Sequence, residues 1–124
     1  YLVANVLELP FESNSFDAVI ATSLVNIVDD KAKALSELRR VCKKGGKVSI
    51  LVPLDSFIDN DLVLLQQSIG DIGFSAAAIR AWHRYAPKMN NKDIAQLFLQ
   101  SGLAEPTTKT YLKGLVISAS ATKP

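Results

Sequence analysis

The sequence is poor in the residues that build covalent cross-links and metal sites. It contains one cysteine, Cys42, and one histidine, His83, among its 124 residues. One cysteine cannot form an intrachain disulfide, and one Cys with one His cannot supply the ligands of an ordinary protein-only zinc site. We therefore expect no metal, and the cysteine usage suits a reducing compartment such as the cytoplasm.

Long apolar runs and a strong charge imbalance are absent as well. No apolar stretch approaches the ~18 residues that a membrane-spanning helix needs, and the first residues lack the basic and apolar pattern of a signal peptide. The net charge is +2, and the basic residues are spread along the chain rather than gathered in the stripe typical of nucleic-acid binders. These absences predict a protein with no membrane span and no nucleic-acid partner.

The residues that are present predict one α/β domain. Apolar residues make up 48% of the chain, which is enough for a core. Phe16–Ala21 is predicted as a buried strand, and Asp29-Asp30 as the cap of a following helix. Gly45-Gly46 is predicted to end that helix, directly before a second buried strand, Val48–Val52. A helical crossover makes two such strands parallel, so residues 16 to 52 form a strand–helix–strand unit.

The helix between these strands shows an apolar stripe, with a polar side opposite. Its apolar positions repeat at helical spacing and are Leu35, Leu38, Val41 and Cys42. We place Glu37 and the basic residues on the other side, and Arg39-Arg40 with Lys43-Lys44 at the basic end of the helix. Cys42 is then a small core residue.

The remainder of the chain predicts three further helices and a hairpin. The first helix is broken at Gly70 and Gly73, and its apolar side carries Ile58, Leu62, Leu65 and Ile69. A second helix spans Ala76–Tyr85, and a third begins at Asn90 or Asn91 and ends at Gly102. Two strands follow, Thr107–Leu112 and Leu115–Thr122, joined by a tight turn at Lys113-Gly114. We therefore divide the single domain into a strand–helix–strand core (1–53), a variable helical lid (54–89) and a helix plus hairpin (90–124).

Three segments together resemble a known family. They are "ANVLELPFESNSFDAVIATS", "VDDKAKALSELRRVCKKGGKVSILVP" and "NNKDIAQLFLQSGL". They are similar to class I S-adenosylmethionine-dependent methyltransferases, above all to the branch with ubiquinone and menaquinone biosynthesis enzymes. The resemblance covers residues 3 to 53 and 90 to 123 and does not extend over 55 to 89. Its most specific motif is Leu-Pro-Phe, followed by a polar turn and by Phe-Asp at the start of an apolar strand.

The resemblance implies a Rossmann-like fold, of which this chain is the carboxyl-terminal half. The family's sheet has the order 3-2-1-4-5-7-6, and the chain matches strands 4 to 7. We therefore expect an α/β half-domain with the order 4-5-7-6, the last strand antiparallel and helices on both faces. The sequence contains no Gly-x-Gly, so we expect the family's glycine-rich cofactor loop and its acidic ribose-binding residue to lie in a missing amino-terminal half.

The resemblance also implies a cofactor, S-adenosylmethionine, and four residues beside it. Asn5 and Val6 match the positions that meet the adenine ring, and Thr22 and Ser23 stand at the strand end where the methionine part would lie. Two plainer interpretations remain open. Asn5 can be a loop residue that forms its own turn, and the two hydroxyls can cap backbone groups at the end of a strand.

On the substrate side the chain departs from its relatives. Asn26 and Ile27 occupy positions where relatives often carry a His pair, so an obvious general base is missing. Transfer to an acidic carbon or an ionised oxygen needs positioning alone, whereas a neutral hydroxyl would need a base. His83 or Tyr85 could act as one if the 76–85 helix folds over the site; otherwise His83 is a half-buried surface residue.

The sequence leaves two functions open. One is a small-molecule methyltransferase present as a fragment, with weak or no binding of S-adenosylmethionine by this chain alone. The other is a non-catalytic, truncated module with a binding or assembly role. A different nucleotide-binding α/β protein fits less well, because Leu-Pro-Phe with Phe-Asp is not typical of dehydrogenases.

The strand Phe16–Ala21 also predicts an association. Without strand 1 of the family's sheet beside it, one edge of this strand has unpaired backbone groups. We expect a homodimer in which the same strand of a second copy, or the 57–69 helix, covers that edge. The alternative is pairing of the edge with a missing amino-terminal half.

Overall fold

The computed structural model describes residues 1–70 and 74–124, and those residues form an α/β fold. Its strands are β1 (Phe16–Thr22), β2 (Cys42–Pro53), β3 (Thr107–Tyr111) and β4 (Val116–Thr122), and its helices are α1 (Lys31–Val41), α2 (Asp59–Ile69), α3 (Phe74–Tyr85) and α4 (Asn91–Gln100). Each predicted helix and strand is present, with ends shifted by a few residues, except that β2 begins six residues before the predicted Val48. The break that we predicted at Gly73 lies outside the described residues.

Within the described ranges the strands form one mixed sheet in the order β1-β2-β4-β3. β1 and β2 are parallel and joined through α1, whereas β4 runs antiparallel to both β2 and β3. This arrangement of three parallel strands and one antiparallel strand confirms the predicted fold class. The assignment of these strands to numbers 4, 5, 7 and 6 of the family's sheet stays a prediction.

Helices α1 and α4 cover one face of the sheet. Both begin at side-chain caps, since Asp30 Oδ1 accepts from the Lys33 amide at 2.9 Å and Asn90 Oδ1 accepts from the Asp93 amide at 2.8 Å. Their apolar sides meet alternate residues of β2 and β4 in the main core. The buried members from these four elements include Leu35, Leu38, Ile94, Leu97, Phe98, Val48, Ile50, Val52, Ile117 and Ala119.

The opposite face of the sheet is covered mainly at one end. There α2 and α3 pack on Leu115 and on the half-buried Val116 through Phe57, Leu62, Leu65, Ile79 and Trp82. Further along, the face presents small polar side chains, with the Ser49 and Ser120 hydroxyls 2.7 Å apart. Helices therefore lie on both faces, as predicted, but the second layer is partial.

Strand β1 forms at the predicted place, yet it is not buried. Ala21 is its one buried residue, and the Ile20 side chain on the second face is 71% exposed. The apolar composition of this strand suggested cover on both faces. Its place at the edge of the sheet, next to the partial second layer, explains the difference.

The prediction that Gly45-Gly46 ends the first helix is wrong. The helix ends at Val41, the buried Cys42 already has extended backbone, and both glycines lie within β2. Gly46 is needed for close packing: a Cβ there would lie 2.6 Å from the Asp17 carbonyl oxygen and 2.7 Å from Cys42 Sγ. The register between β1 and β2 shifts at this point, between Phe16 and Ala18.

The hairpin connection also differs from the predicted two-residue turn. A 3-10 turn, Leu112–Gly114, joins β3 to β4, and both Leu112 and Lys113 have positive φ. At the far end of β4, the Lys123 amine donates to the Cys42 carbonyl at 2.7 Å and to Asn14 Oδ1 at 2.9 Å. Burial of this amine lowers the pKa of Lys123.

Across the described ranges, every helix is too short or too polar to traverse a lipid bilayer.

The two glycines of β2 give a matched test of this packing. We expect Gly46→Ala to lower the free energy of unfolding by at least ~3 kcal/mol, because its methyl group would overlap backbone and sulfur atoms. Gly45 has φ +77° with open space around it, so Gly45→Ala should cost only ~1 kcal/mol of backbone strain. Urea unfolding of both variants measures the difference. Equal losses would contradict the close approach at Gly46.

Candidate cofactor site

The first part of the candidate site is the carboxyl end of β1. Thr22 pairs with Leu51 of β2, and the Ser23 amide donates to the Leu51 carbonyl at 2.8 Å. Both Thr22 and Ser23 are exposed. The structure thus places the two predicted hydroxyls at the end of the parallel strand pair, where open α/β sheets bind ligands.

Ser23 has strained backbone. Its φ is +49°, in the left-handed region that favours glycine. Strain of this kind costs ~1–3 kcal/mol and concentrates at ligand sites and switches. Sequence reasoning selected Ser23 for its position, but its type gave no signal of the strain.

The second part of the site is the segment that carries Asn5 and Val6. Asn5 Oδ1 accepts from the Leu7 amide at 3.0 Å, and the Asn5 carbonyl accepts from the Glu8 amide at 3.1 Å. Asn5 therefore does form its own turn, as the plainer interpretation holds. The side chain is still exposed, whereas Val6 is buried in the main core.

A groove of about 400 Å³ joins the two parts. It runs along β1 and is lined by Ala4, Val6, Leu9, Phe11, Phe16, Ala18, Val19, Ile20, Ala21, Leu24, Leu38 and Val41. Val6 lies on one side, and Ala21 and Leu24 are the sequence neighbours of Thr22 and Ser23. Of the four predicted residues only Val6 lines this groove, which we call the β1 groove, and Asn5, Thr22 and Ser23 are sequence neighbours of lining residues.

An ion pair lies beside this groove that sequence reasoning missed. Glu37, placed on the polar side of α1 by its pattern, is only 7% exposed, so that prediction is wrong. Its Oε1 accepts from Arg40 Nε at 2.8 Å, and its Oε2 accepts from the Leu9 amide at 2.9 Å. The sequence did carry a signal for this pair, because a Glu and an Arg three residues apart on one helix can form an ion pair.

The pKa of Glu37 follows from these contacts. Hydrogen bonds from Arg40 and, to a lesser extent, from the Leu9 amide outweigh the burial and lower the pKa from 4.5 to about 2. A depressed carboxyl pKa stabilises the fold at pH values above 4.5, and this contribution is lost as the pH falls through about 2. The pair is therefore charged at every physiological pH.

On the substrate side, Asn26 is buried and Ile27 is exposed. Asn26 Nδ2 donates to the Pro87 carbonyl at 2.9 Å, which ties the loop after β1 to the segment after α3. Asn26 Oδ1 is buried and has no hydrogen-bond partner in the part of the chain that the structure describes. Neither residue provides a base, as expected from their types.

His83 and Tyr85 lie away from the β1 groove. His83 is buried rather than half-buried, with Nε2 3.0 Å from the Phe57 carbonyl oxygen and Nδ1 3.6 Å from Asp59 Oδ1. A carbonyl only accepts, so Nε2 carries the proton. His83 lines a different cavity, with Arg80 and Arg84 among its neighbours, while Tyr85 is exposed. The 76–85 helix is thus present, but it does not bring these two residues to the groove.

Sequence comparisons support the resemblance. A family profile described as "Methyltransferase domain" matches residues 1–50. The chain is 30% identical to a demethylmenaquinone methyltransferase of Corynebacterium glutamicum over 99% of its own length and 57% of the relative's. It is 29% identical to the ubiquinone/menaquinone biosynthesis C-methyltransferase UbiE of Rhizobium etli, over 99% of the chain and 51% of the relative. The chain therefore spans little more than half the length of these relatives.

Solved structures show the same fold. A methyltransferase of Thermotoga maritima, described as a possible histamine N-methyltransferase, matches with a TM-score of 0.67 at 18% identity, over 99% of this chain and 63% of that one. A structure of the Haloferax volcanii Trm112 methyltransferase activator with its putative methyltransferase matches with a TM-score of 0.69 at 16% identity, over 99% and 60%. A geranyl diphosphate methyltransferase in complex with S-adenosylmethionine matches with a TM-score of 0.61 at 15% identity, over 99% and 57%.

The sheet order and the solved structures show a Rossmann-like α/β fold of the methyltransferase type. The sequence matches make the class more specific. The profile match over residues 1–50 and the relatives named above support a class I S-adenosylmethionine-dependent methyltransferase of the ubiquinone/menaquinone-biosynthesis type. The cofactor of that class is S-adenosylmethionine.

Ser23 and Thr22 allow the backbone strain to be measured. Ser23→Gly should raise the free energy of unfolding by ~0.5 kcal/mol, because relief of left-handed strain exceeds the added entropy of the unfolded chain. Thr22→Gly, at the adjacent strand end, should lower it by ~0.5–1 kcal/mol, since nothing offsets the entropy. Thermal and urea unfolding measure both. A Ser23→Gly variant that loses as much stability as Thr22→Gly would show that Ser23 is unstrained.

Proposed function

We propose that this chain forms the carboxyl-terminal half of a small-molecule methyltransferase site. Asn5 and Val6 would lie on the adenine side of S-adenosylmethionine, and Thr22 and Ser23 on its methionine side. The observation that carries the proposal is the exposed, strained Ser23 at the carboxyl end of β1, next to the groove that contains Val6. The similarity to methyltransferases and the complex of a structural neighbour with S-adenosylmethionine support the choice of ligand.

The residues present favour an acceptor that needs no general base. When bound, the cofactor supplies an electrophilic methyl group on sulfur. Asn26 and Ile27 cannot take a proton at neutral pH, and His83 lines a different cavity from the β1 groove. Positioning of an acidic carbon or an ionised oxygen would be the contribution of this side of the site. Tyr85 remains the exposed candidate for a base should the 54–89 lid move.

Affinity for the cofactor should be low in this chain alone. The side chains of the described residues that line the β1 groove are apolar, and small ligands need most of their surface buried together with a few convergent polar groups. The proposed contacts are one amide and two hydroxyls. We keep the divisions 1–53, 54–89 and 90–124, and a cytoplasmic location, as parts of the same proposal.

A titration followed by NMR tests the site even when binding is weak. On addition of millimolar S-adenosylmethionine to the labelled chain, we expect amide shifts confined to residues 4–9 and 21–27 and no saturation at micromolar ligand. The matched ligand control is methionine, which should move only the second group. A micromolar dissociation constant by calorimetry would contradict the proposed weakness. Shifts centred elsewhere, or none at all, would favour a non-catalytic module.

A second part of the proposal concerns the side of β1 that faces away from β2, which we call the outer edge. No strand of residues 1–70 or 74–124 pairs with it. Asp17 is the single charged residue of β1, and it pairs with Lys43 Nζ at 2.9 Å. An apolar edge strand without lysine or proline is a template for pairing with another chain.

We propose that a second copy of the chain covers the outer edge. Exposed apolar side chains lie along it, namely Phe11, Phe16 and Ile20, which also line the β1 groove, so a second copy would cover part of that groove. If two β1 strands paired antiparallel about a two-fold axis, this apolar patch of one copy would contact the same patch of the other copy. The charge of Asp17 is already compensated by Lys43, so such pairing would oppose no bare like charges.

Sedimentation velocity over a concentration series tests the second copy. We expect the parent chain to dimerise and Ile20→Lys to be monomeric, because a lysine on β1 places a charge in the proposed interface. Val63→Lys is the matched control, since Val63 is exposed on α2, away from β1, and should dimerise like the parent. A monomeric parent would contradict the second copy and leave the outer edge for another segment of a longer protein.

A further inference from the structure

Two side chains of α1 hold the segment that contains the Leu-Pro-Phe motif. Arg40 Nη2 donates to the Leu9 carbonyl at 3.0 Å, and Arg40 Nη1 donates to the Phe11 carbonyl at 2.8 Å. Glu37 Oε2 accepts from the Leu9 amide at 2.9 Å. Each of these bonds is made to the backbone. The pair therefore fixes the path of the segment whatever its side chains are.

The two side chains also fix each other. The Arg40 guanidinium donates through Nε to Glu37 Oε1 at 2.8 Å and through Nη2 to Oε2 at 2.9 Å. Such a two-pronged pair is rigid and roughly twice as strong as neutral hydrogen bonds. Because the pKa of Glu37 lies near 2, the pair stays charged over the working range of pH.

The far end of the same segment is attached to α1 as well. The Asn14 amide donates to the Arg40 carbonyl at 3.0 Å, and the Ser15 amide donates to the Val41 carbonyl at 2.8 Å. Residues 9–15 are thus held to one helix at both ends. The turn around Asn5 closes at Glu8, directly before the first of these contacts.

Building on the proposed function, we infer that Glu37 and Arg40 are positioning residues for the adenine side of the cofactor site. They touch neither Asn5 nor Val6 through the contacts described above. They act through Leu9 and Phe11, two residues that line the β1 groove. Loss of the pair would let residues 5–11 move away from α1 and would widen the groove on that side.

The neighbouring arginine offers a matched control. Arg39 belongs to the same last turn of α1 and also donates to a backbone carbonyl, that of Gly102, at 3.1 Å. This bond ties α1 to the end of α4 and does not involve the β1 groove. Arg39→Ala and Arg40→Ala therefore remove the same side chain from the same helix turn, but Arg39 gives up one backbone hydrogen bond whereas Arg40 gives up two and its pair with Glu37.

The experiment compares Arg40→Ala, Arg40→Lys and Arg39→Ala in the full chain. Arg40→Ala should speed hydrogen exchange of the Leu9 amide about tenfold and at least halve the Asn5 shift caused by millimolar S-adenosylmethionine. Arg40→Lys should behave the same way, because the compact lysine ammonium lacks the two separate nitrogens with which the guanidinium reaches the Leu9 and Phe11 carbonyls. Arg39→Ala should change neither readout and should lose less thermal stability than Arg40→Ala, which leaves the buried Glu37 carboxylate without its partner.

Two results would overturn the inference. One is an Asn5 shift in Arg40→Ala that differs from the parent no more than that of Arg39→Ala. The other is unchanged exchange at Leu9. Failure of the proposed function is distinguishable: the parent chain would then show no ligand-induced shift, which removes the adenine role, while the exchange rates would still report whether the pair holds the segment.

Discussion

The parallel pairing of β1 with β2 is the interaction on which the rest of the structure depends. Its regular part runs from Ala18 opposite Lys47 to Thr22 opposite Leu51. Because both strands point the same way, their carboxyl ends meet at one edge of the sheet, and the loop that starts at Ser23 begins there. The same pairing uses one side of β1 and brings the other to the border of the sheet. The candidate ligand site and the outer edge are thus two consequences of one strand's position.

Helix α1 has two tasks in this arrangement. It connects β1 to β2 along the chain, and its apolar side packs Leu35 and Leu38 into the core. Its last turn holds the amino-terminal segment through Glu37 and Arg40. The segment has few core contacts of its own beyond Val6 and its partly buried leucines, so backbone hydrogen bonds to a charged pair replace packing as its anchor. A helix that belongs to the core in this way also decides the shape of the β1 groove.

Local signals made most of the fold predictable. Asp30 and Asn90 cap helices where their types indicated, because capping needs only the next three residues. The apolar pattern of β1 does not indicate that Ile20 is exposed, but the resemblance does, since a strand without strand 1 beside it loses part of its helical cover. The prediction that Gly45-Gly46 ends the helix was wrong because a glycine required for close packing and a glycine that ends a helix look the same in the sequence. For the site, topology was enough to locate Thr22 and Ser23, but neither the φ of Ser23 nor the burial of Glu37 has a local signature.

Hydrogen exchange along β1 tests the central claim, a parallel strand pair with one unpaired edge, most directly. The Ser23 amide points to β2, and amides alternate along a strand, so those of Ala21 and Val19 share its direction while those of Thr22 and Ile20 point outward. In dilute solution we expect slow exchange at Ala21 and Val19 and fast exchange at Thr22 and Ile20. Equal protection of all four amides under conditions where the chain is monomeric would contradict it.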